Sequence, residues 1–134
     1  MAQPTADQFV RDMYAAFVSE GLPAATARFM DDQVEYADDP RWPGGGTHHG
    51  REAVVARFEE VIEVLGIVAA EVERVVDAGD HVAWIVRFSG RSTREGVPND
   101  HRWGYVGRIV EGRLASFRAY YDPAEAFAAA GVRS

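Results

Sequence analysis

The apolar residues of this chain change their period once, near residue 66. Up to Leu65 they recur every three or four positions, as on one face of a helix, and from Val68 to Tyr121 they alternate, as on one face of a strand. A chain that lays down its helices first and its strands afterwards does not build the repeating strand–helix units of a parallel sheet. The order specifies an α+β protein in which helices cover one face of an antiparallel sheet. At 134 residues, one domain with one continuous core is expected across residues 1–134.

Thr5 followed by Gln8 is a capping-box pattern, and Phe9, Met13, Ala16 and Phe17 carry an apolar stripe to Gly21, giving a first helix over residues 5–20. Leu22-Pro23 opens a short second helix through Ala24 to Met30. Gln33 to Tyr36 reads as a short strand leading into ADDPRWPGGGTHHG, a Pro/Gly-rich segment too long for a simple turn. From Arg51, Val54, Phe58, Val61 and Leu65 share one face of a third helix. Four alternating runs follow, Val68–Val76, Val82–Phe88, His101–Ile109 and Leu114–Tyr121, which predict an antiparallel meander. One or two helical turns start at Pro123. Three helices set into the concave face of a strongly twisted four-stranded sheet leave a cavity at the open end, and function is expected there.

Composition removes several chemistries. The chain has no cysteine, which excludes disulfides, thiolate metal sites and cysteine nucleophiles. All 14 basic residues are arginine, so Schiff-base chemistry and a phosphate-loop lysine are excluded as well. The net charge is −7, with 12 acids against 5 arginines in residues 1–66 and 9 of each in residues 67–134, a balance that disfavours a nucleic-acid partner. No leader-like start and no apolar run of membrane-spanning length is present, so a cytoplasmic protein without a membrane partner is expected. His48-His49 are adjacent rather than spaced for shared coordination, Gly44 to Gly46 lack the dinucleotide spacing and read as a hinge or turn, and no serine sits in a nucleophile elbow. Neither a metal nor a cofactor is expected.

Three segments, ARFMDDQVEYADDP, GREAVVARFEEV and GRIVEGRLASFRAYYD, together resemble the SnoaL-like branch of the nuclear transport factor 2 superfamily. That group of cone-shaped α+β proteins includes ketosteroid isomerases, polyketide cyclases and limonene epoxide hydrolases. The resemblance implies three N-terminal helices on a curved four-stranded antiparallel sheet. It also implies a proton-shuttling aspartate before a proline, matched here by Asp39-Pro40. The isomerases' helix-one tyrosine falls on Met13, one residue from Tyr14, and their second oxyanion donor falls near Tyr105. The steroid oxyanion hole is therefore not reproduced. The epoxide hydrolase triad falls on Trp84, Val86 and Ala119, so that chemistry is not expected.

By the family's inward parity, the strands offer Trp84, Val86, Phe88, His101, Trp103, Tyr105, Phe117 and Tyr121 to the cavity, joined by Phe17 and Tyr14 from the first helix and by Trp42 and His48 from the loop. Aromatic residues at strand spacing serve equally well as core. Trp103, Tyr105 and His101 stand apart, because polar-tipped rings need partners when buried. Asp39, at an apolar mouth, is expected to have its pKa raised by desolvation and to act as general base, assisted by His101, Tyr14 or Tyr105, while Asp38 is expected to be solvated. The resulting expectation is a cofactor-independent isomerase, cyclase or dehydratase acting on a small apolar, carbonyl-bearing or polycyclic molecule. A non-catalytic binder or a dimeric assembly module of the same fold is the alternative. Arg87, Arg108, Arg118 and Tyr120 alternate outward, which suggests a homodimer through the convex sheet face.

Overall fold

Thr5 caps the first helix, α1 (Ala6–Glu20), where its Oγ1 accepts a hydrogen bond from the Gln8 N–H at 3.1 Å. Gly21, at φ 99°, ends α1 and starts α2 (Leu22–Phe29), whose Pro23 occupies the first turn. The computed structural model describes residues 5–42, 45–91 and 98–132, so Gly44 of the glycine triplet lies outside the described residues. The remaining elements are β1 (Met30–Ala37), β2 (Thr47–His49), α3 (Arg51–Leu65), β3 (Ile67–Asp77), β4 (Val82–Arg91), β5 (Pro98–Val110), β6 (Arg113–Tyr120) and α4 (Pro123–Ala129).

The expected four-stranded meander is present, but among the described residues it is part of a six-stranded sheet in the order β2-β1-β6-β5-β4-β3, and the turns expected from Pro123 form a fourth helix beside the three at the N-terminal side. The difference lies at one edge. β1 runs parallel to β6, with Tyr36 beside Phe117, and β2 pairs antiparallel with β1, with His48 beside Tyr36. β2 is three residues long and sits in the Pro/Gly-rich segment, where no alternation marks it. The parallel β1–β6 pair joins segments about eighty residues apart, a long-range choice that local pattern does not encode.

Within the meander, Trp84 pairs with Tyr105, Val86 with Trp103 and Phe88 with His101. Residues directly opposite share a face, so these six side chains form a block on the inner side of the sheet. Phe9, Val10 and Met13 of α1, Val54 and Val61 of α3, and Tyr36 and Phe117 complete one core with most of that block. Register shifts interrupt β3 between Ile67 and Ala69 and between Val72 and Arg74, and irregularities of this kind bend a sheet around the helices it faces. No helix among the described residues is long and apolar enough to cross a membrane.

The outer face is covered in part. Asp122 caps α4 by accepting from the Ala124 N–H at 2.9 Å, and Ala126 and Phe127 of α4 pack with Ala83, Ile85 and Val106 into a second, smaller core. Gly104 makes this seat possible, since a Cβ there would stand 2.7 Å from the Ala126 Cβ and 2.8 Å from the Pro123 Cα. Gly104→Ala should therefore cost about 1–3 kcal/mol, the usual scale for overpacking. The check is the urea midpoint, and a midpoint equal to wild type would show that α4 does not depend on this contact.

Candidate functional site

An apolar chamber opens between the helices and the inner face of the sheet. Met13, Tyr14 and Phe17 come from α1, Leu22 from α2, Phe58, Val61, Ile62 and Leu65 from α3, and Phe88, Trp103, Tyr105 and Phe117 from the strands, with Met30 and Ile67 at strand starts. The cavity volume of the chamber is about 50 Å³. Helical spacing explains the α3 contribution, because Phe58, Val61, Ile62 and Leu65 recur on one side. The polar groups that the lining residues carry are the Tyr14 and Tyr105 hydroxyls and the Trp103 indole N–H. The Trp84 Nε1–H donates to the Tyr14 oxygen at 3.1 Å, which polarises the phenol and leaves its own proton free to serve another acceptor. Burial pushes both phenols above their ordinary pKa, so each stays protonated as a donor across the physiological range.

A second, outer recess of about 400 Å³, open to solvent, adjoins the chamber and shares Leu65 and Trp103 with it. Its walls are Trp42, Trp103 and Tyr121, with Asp100, His101 and Arg102 at the rim. Tyr121 meets Trp42 and Trp103 edge to face and the two indoles are tilted against each other, with centroids 5.3–6.0 Å apart.

The two aspartates at the end of β1 point to different partners. Asp39, 2% exposed, accepts from the Arg41 backbone N–H and Nε on Oδ1, at 2.8 and 3.0 Å, and from Arg41 Nη2 and the Tyr121 N–H on Oδ2, both at 2.8 Å. Asp38 is 5% exposed and takes Arg57 Nε on both oxygens, at 3.1 and 3.0 Å, with His48 Nε2 at 2.8 Å and the Gly46 N–H at 3.2 Å on Oδ2. A carboxylate is an acceptor only, so the shared ring proton sits on His48 Nε2. Burial and the Asp38 charge push the Tyr36 phenol above its ordinary range. Among the described residues no group of three or more His, Asp or Glu side chains is placed to hold a metal ion.

Tyr14, Phe17, Phe88, Trp103, Tyr105 and Phe117 come together in the chamber as the parity argument anticipates. Four expectations need correction. Trp84 and Val86 are fully buried behind the lining, where Trp84 acts through Tyr14. Trp42, His101 and Tyr121 line the outer recess, because they lie in the loop after β1, near the start of β5 and just past the end of β6. His48 is bound to Asp38 instead of facing the chamber. Asp39 is outside the chamber, and its hydrogen bonds from Arg41 hold its carboxyl well below the usual carboxylate range, the reverse of the raised value expected for a base. Sequence reasoning missed the buried Asp38 and Arg57. The signal for Arg57 was present, since it stands between Val54 and Val61 on the buried side of α3.

The SnoaL-like domain profile matches residues 10–124, and the chain belongs to that family. Among solved structures it resembles Bal32a from a soil-derived mobile gene cassette, 26% identical over 91% of this chain and 92% of that one, with a TM-score of 0.72. A nuclear transport factor 2-like protein from Burkholderia thailandensis is 25% identical over 99% of this chain and 100% of its own, also at 0.72. TerC, co-crystallised with polyporic acid, is 18% identical with a TM-score of 0.75 over 90% and 93% of the two chains, and so shares the fold. No curated protein matches the chain.

Asp39 therefore acts as a clamp between the end of β1 and the end of β6. Its folded pKa lies below the unfolded value of about 4, so its stabilisation is complete above that pH and is lost as pH falls towards the folded value. Asp39→Asn should lower stability by about 1–3 kcal/mol at pH 7, the cost of leaving buried donors without their charged acceptor. Denaturant midpoints at pH 7 and pH 3 should show the gap closing in acid. A gap that ignores pH would overturn the clamp.

Proposed function

We propose that the protein binds a small, mostly apolar, carbonyl-bearing or polycyclic molecule in the inner chamber, with the Tyr14 hydroxyl donating to its oxygen. The observation that carries this reading is the chamber lining: apolar side chains, with the Tyr14 and Tyr105 hydroxyls and the Trp103 indole N–H as their polar groups. Apolar surface removed from water contributes about 25 cal/mol per Å², and a donor already polarised by Trp84 fixes orientation. Titrated by calorimetry, 2-acetylnaphthalene should bind more tightly than the hydrocarbon 2-isopropylnaphthalene. Tyr14→Phe should reduce that preference about fivefold, the worth of one hydrogen bond, and leave the hydrocarbon within twofold. If neither compound binds, the chamber is not a ligand site.

A second reading, an isomerase-, cyclase- or dehydratase-type enzyme, is favoured by the Asp38–His48 pair. Tyr36 packs on the chamber rings Phe58 and Phe117, with centroids 4.8 and 4.7 Å away, and His48 stacks on Tyr36 at 6.1 Å. In this reading the two phenols stabilise an enolate oxygen, and the Asp38–His48 pair, one ring removed from the chamber, takes the place of the clamped Asp39 and receives the proton through an intervening water rather than directly. Deuterium uptake at the methyl group of 2-acetylnaphthalene in D2O, faster than in buffer and slowed by His48→Gln, supports this reading. Exchange at the buffer rate leaves binding alone.

The homodimer belongs to the same proposal. On the outer face, the part of the sheet beyond α4 holds an open groove lined by Glu35, Thr47, Arg108, Ser116, Arg118 and Tyr120, among others. These residues give a mixed polar surface suited to a moderate interface. Light scattering at micromolar concentration should give twice the chain mass of 14.8 kDa, and the single-chain mass would overturn it.

A further inference from the structure

Arg57 is the one buried arginine among the described residues, at 8% exposure, and its guanidinium is only partly satisfied. Nε serves both Asp38 oxygens, and Nη1 reaches Glu60 at 3.2 Å. Nη2 is buried with no partner among the described residues. The guanidinium is a rigid plane, so two engaged nitrogens also fix the direction of the third. A buried donor left unmade is costly, and an oxygen atom of a bound molecule would relieve that cost.

The position of Arg57 indicates the source of that acceptor. It adjoins Phe58 of the chamber wall, and its guanidinium carbon lies 5.8 Å from the Trp42 ring centre. Trp42 in turn lines the recess that joins the chamber through Leu65 and Trp103. The charge balance indicates what kind of acceptor it is. Asp38 and Glu60 already place two carboxylates on one guanidinium, so a further anion would add repulsion, whereas a neutral oxygen completes the donor without adding charge.

We propose that Arg57 Nη2 donates to a neutral carbonyl oxygen at the end of the bound molecule nearest Trp42. The ligand class is then an apolar ring system with two carbonyl groups, one on Tyr14 within the chamber and one on Arg57. This inference rests on the chamber reading and adds a second point of recognition to it.

The test compares 2,6-diacetylnaphthalene with 2-acetyl-6-isopropylnaphthalene, which differ in one carbonyl at nearly equal size. Wild type should bind the diketone at least fivefold more tightly, and Arg57→Lys, which keeps a cation beside Asp38, should erase the difference while the isopropyl ketone stays within twofold. A second readout needs no variant. In protein carrying 15N-arginine, the slowly exchanging guanidinium signal of buried Arg57 should move with the diketone and not with the isopropyl ketone. Equal affinities in wild type, an advantage that survives Arg57→Lys, or an unmoved guanidinium signal each overturn the inference and leave the chamber reading intact. Binding of neither compound overturns both.

Discussion

Consecutive residues of an extended strand point to opposite sides, and the end of β1 uses this with two acids in a row. Asp38 turns towards α3, where it neutralises Arg57 and holds His48. Asp39 turns the other way and joins Arg41 and the backbone of Tyr121 at the end of β6. One short stretch thereby fixes β1 against α3, β2 and β6 together. The rest of the site follows: Tyr36 is pinned among Phe58, Phe117 and His48, and Trp42 is brought over the rings of Trp103 and Tyr121. Losing Asp38 would leave the buried Arg57 with the exposed Glu60 alone, and losing Asp39 would leave Arg41 with Glu125 alone.

The chamber is apolar in area but not indifferent in chemistry. Its two phenols are held protonated by burial, so it offers hydrogen-bond donors and no charge of its own. A carboxylate ligand would lose its hydration there and find no cation on the lining, whereas a ketone loses little and gains an oriented donor. The arrangement discriminates by what a ligand must give up on entry as much as by what it meets inside.

Much of this was legible in the sequence, and the gaps have physical causes. The α1 cap, the α3 stripe and the inner parity of β4 and β5 are local periodicities, and they stand as read. The parallel pairing of β1 with β6 is a choice between distant segments, and β2 is too short to show a period. Asp39 drew attention because proline follows it, but which of two adjacent acids faces inward depends on strand phase, and a shift of one residue exchanges them. Arg57 lies at a helix position its neighbours mark as buried. It reads as surface only because a charged side chain is rarely buried unless paired, and its partner Asp38 lies 19 residues upstream.

The place of β1 in the sheet also sets an order on folding. Met30 pairs with Leu114 and Tyr36 with Phe117, so β1 is completed by a strand made about eighty residues after it. Until β6 exists, α1 and α3 have no finished sheet on which to bury Phe9, Val10, Met13, Val54 and Val61. Closing so long a loop is entropically slow and is repaid only when the final strand docks. During synthesis α1 can dock on α2 and β3 before β6 is made, whereas the β1 side of the sheet closes only when β6 joins it.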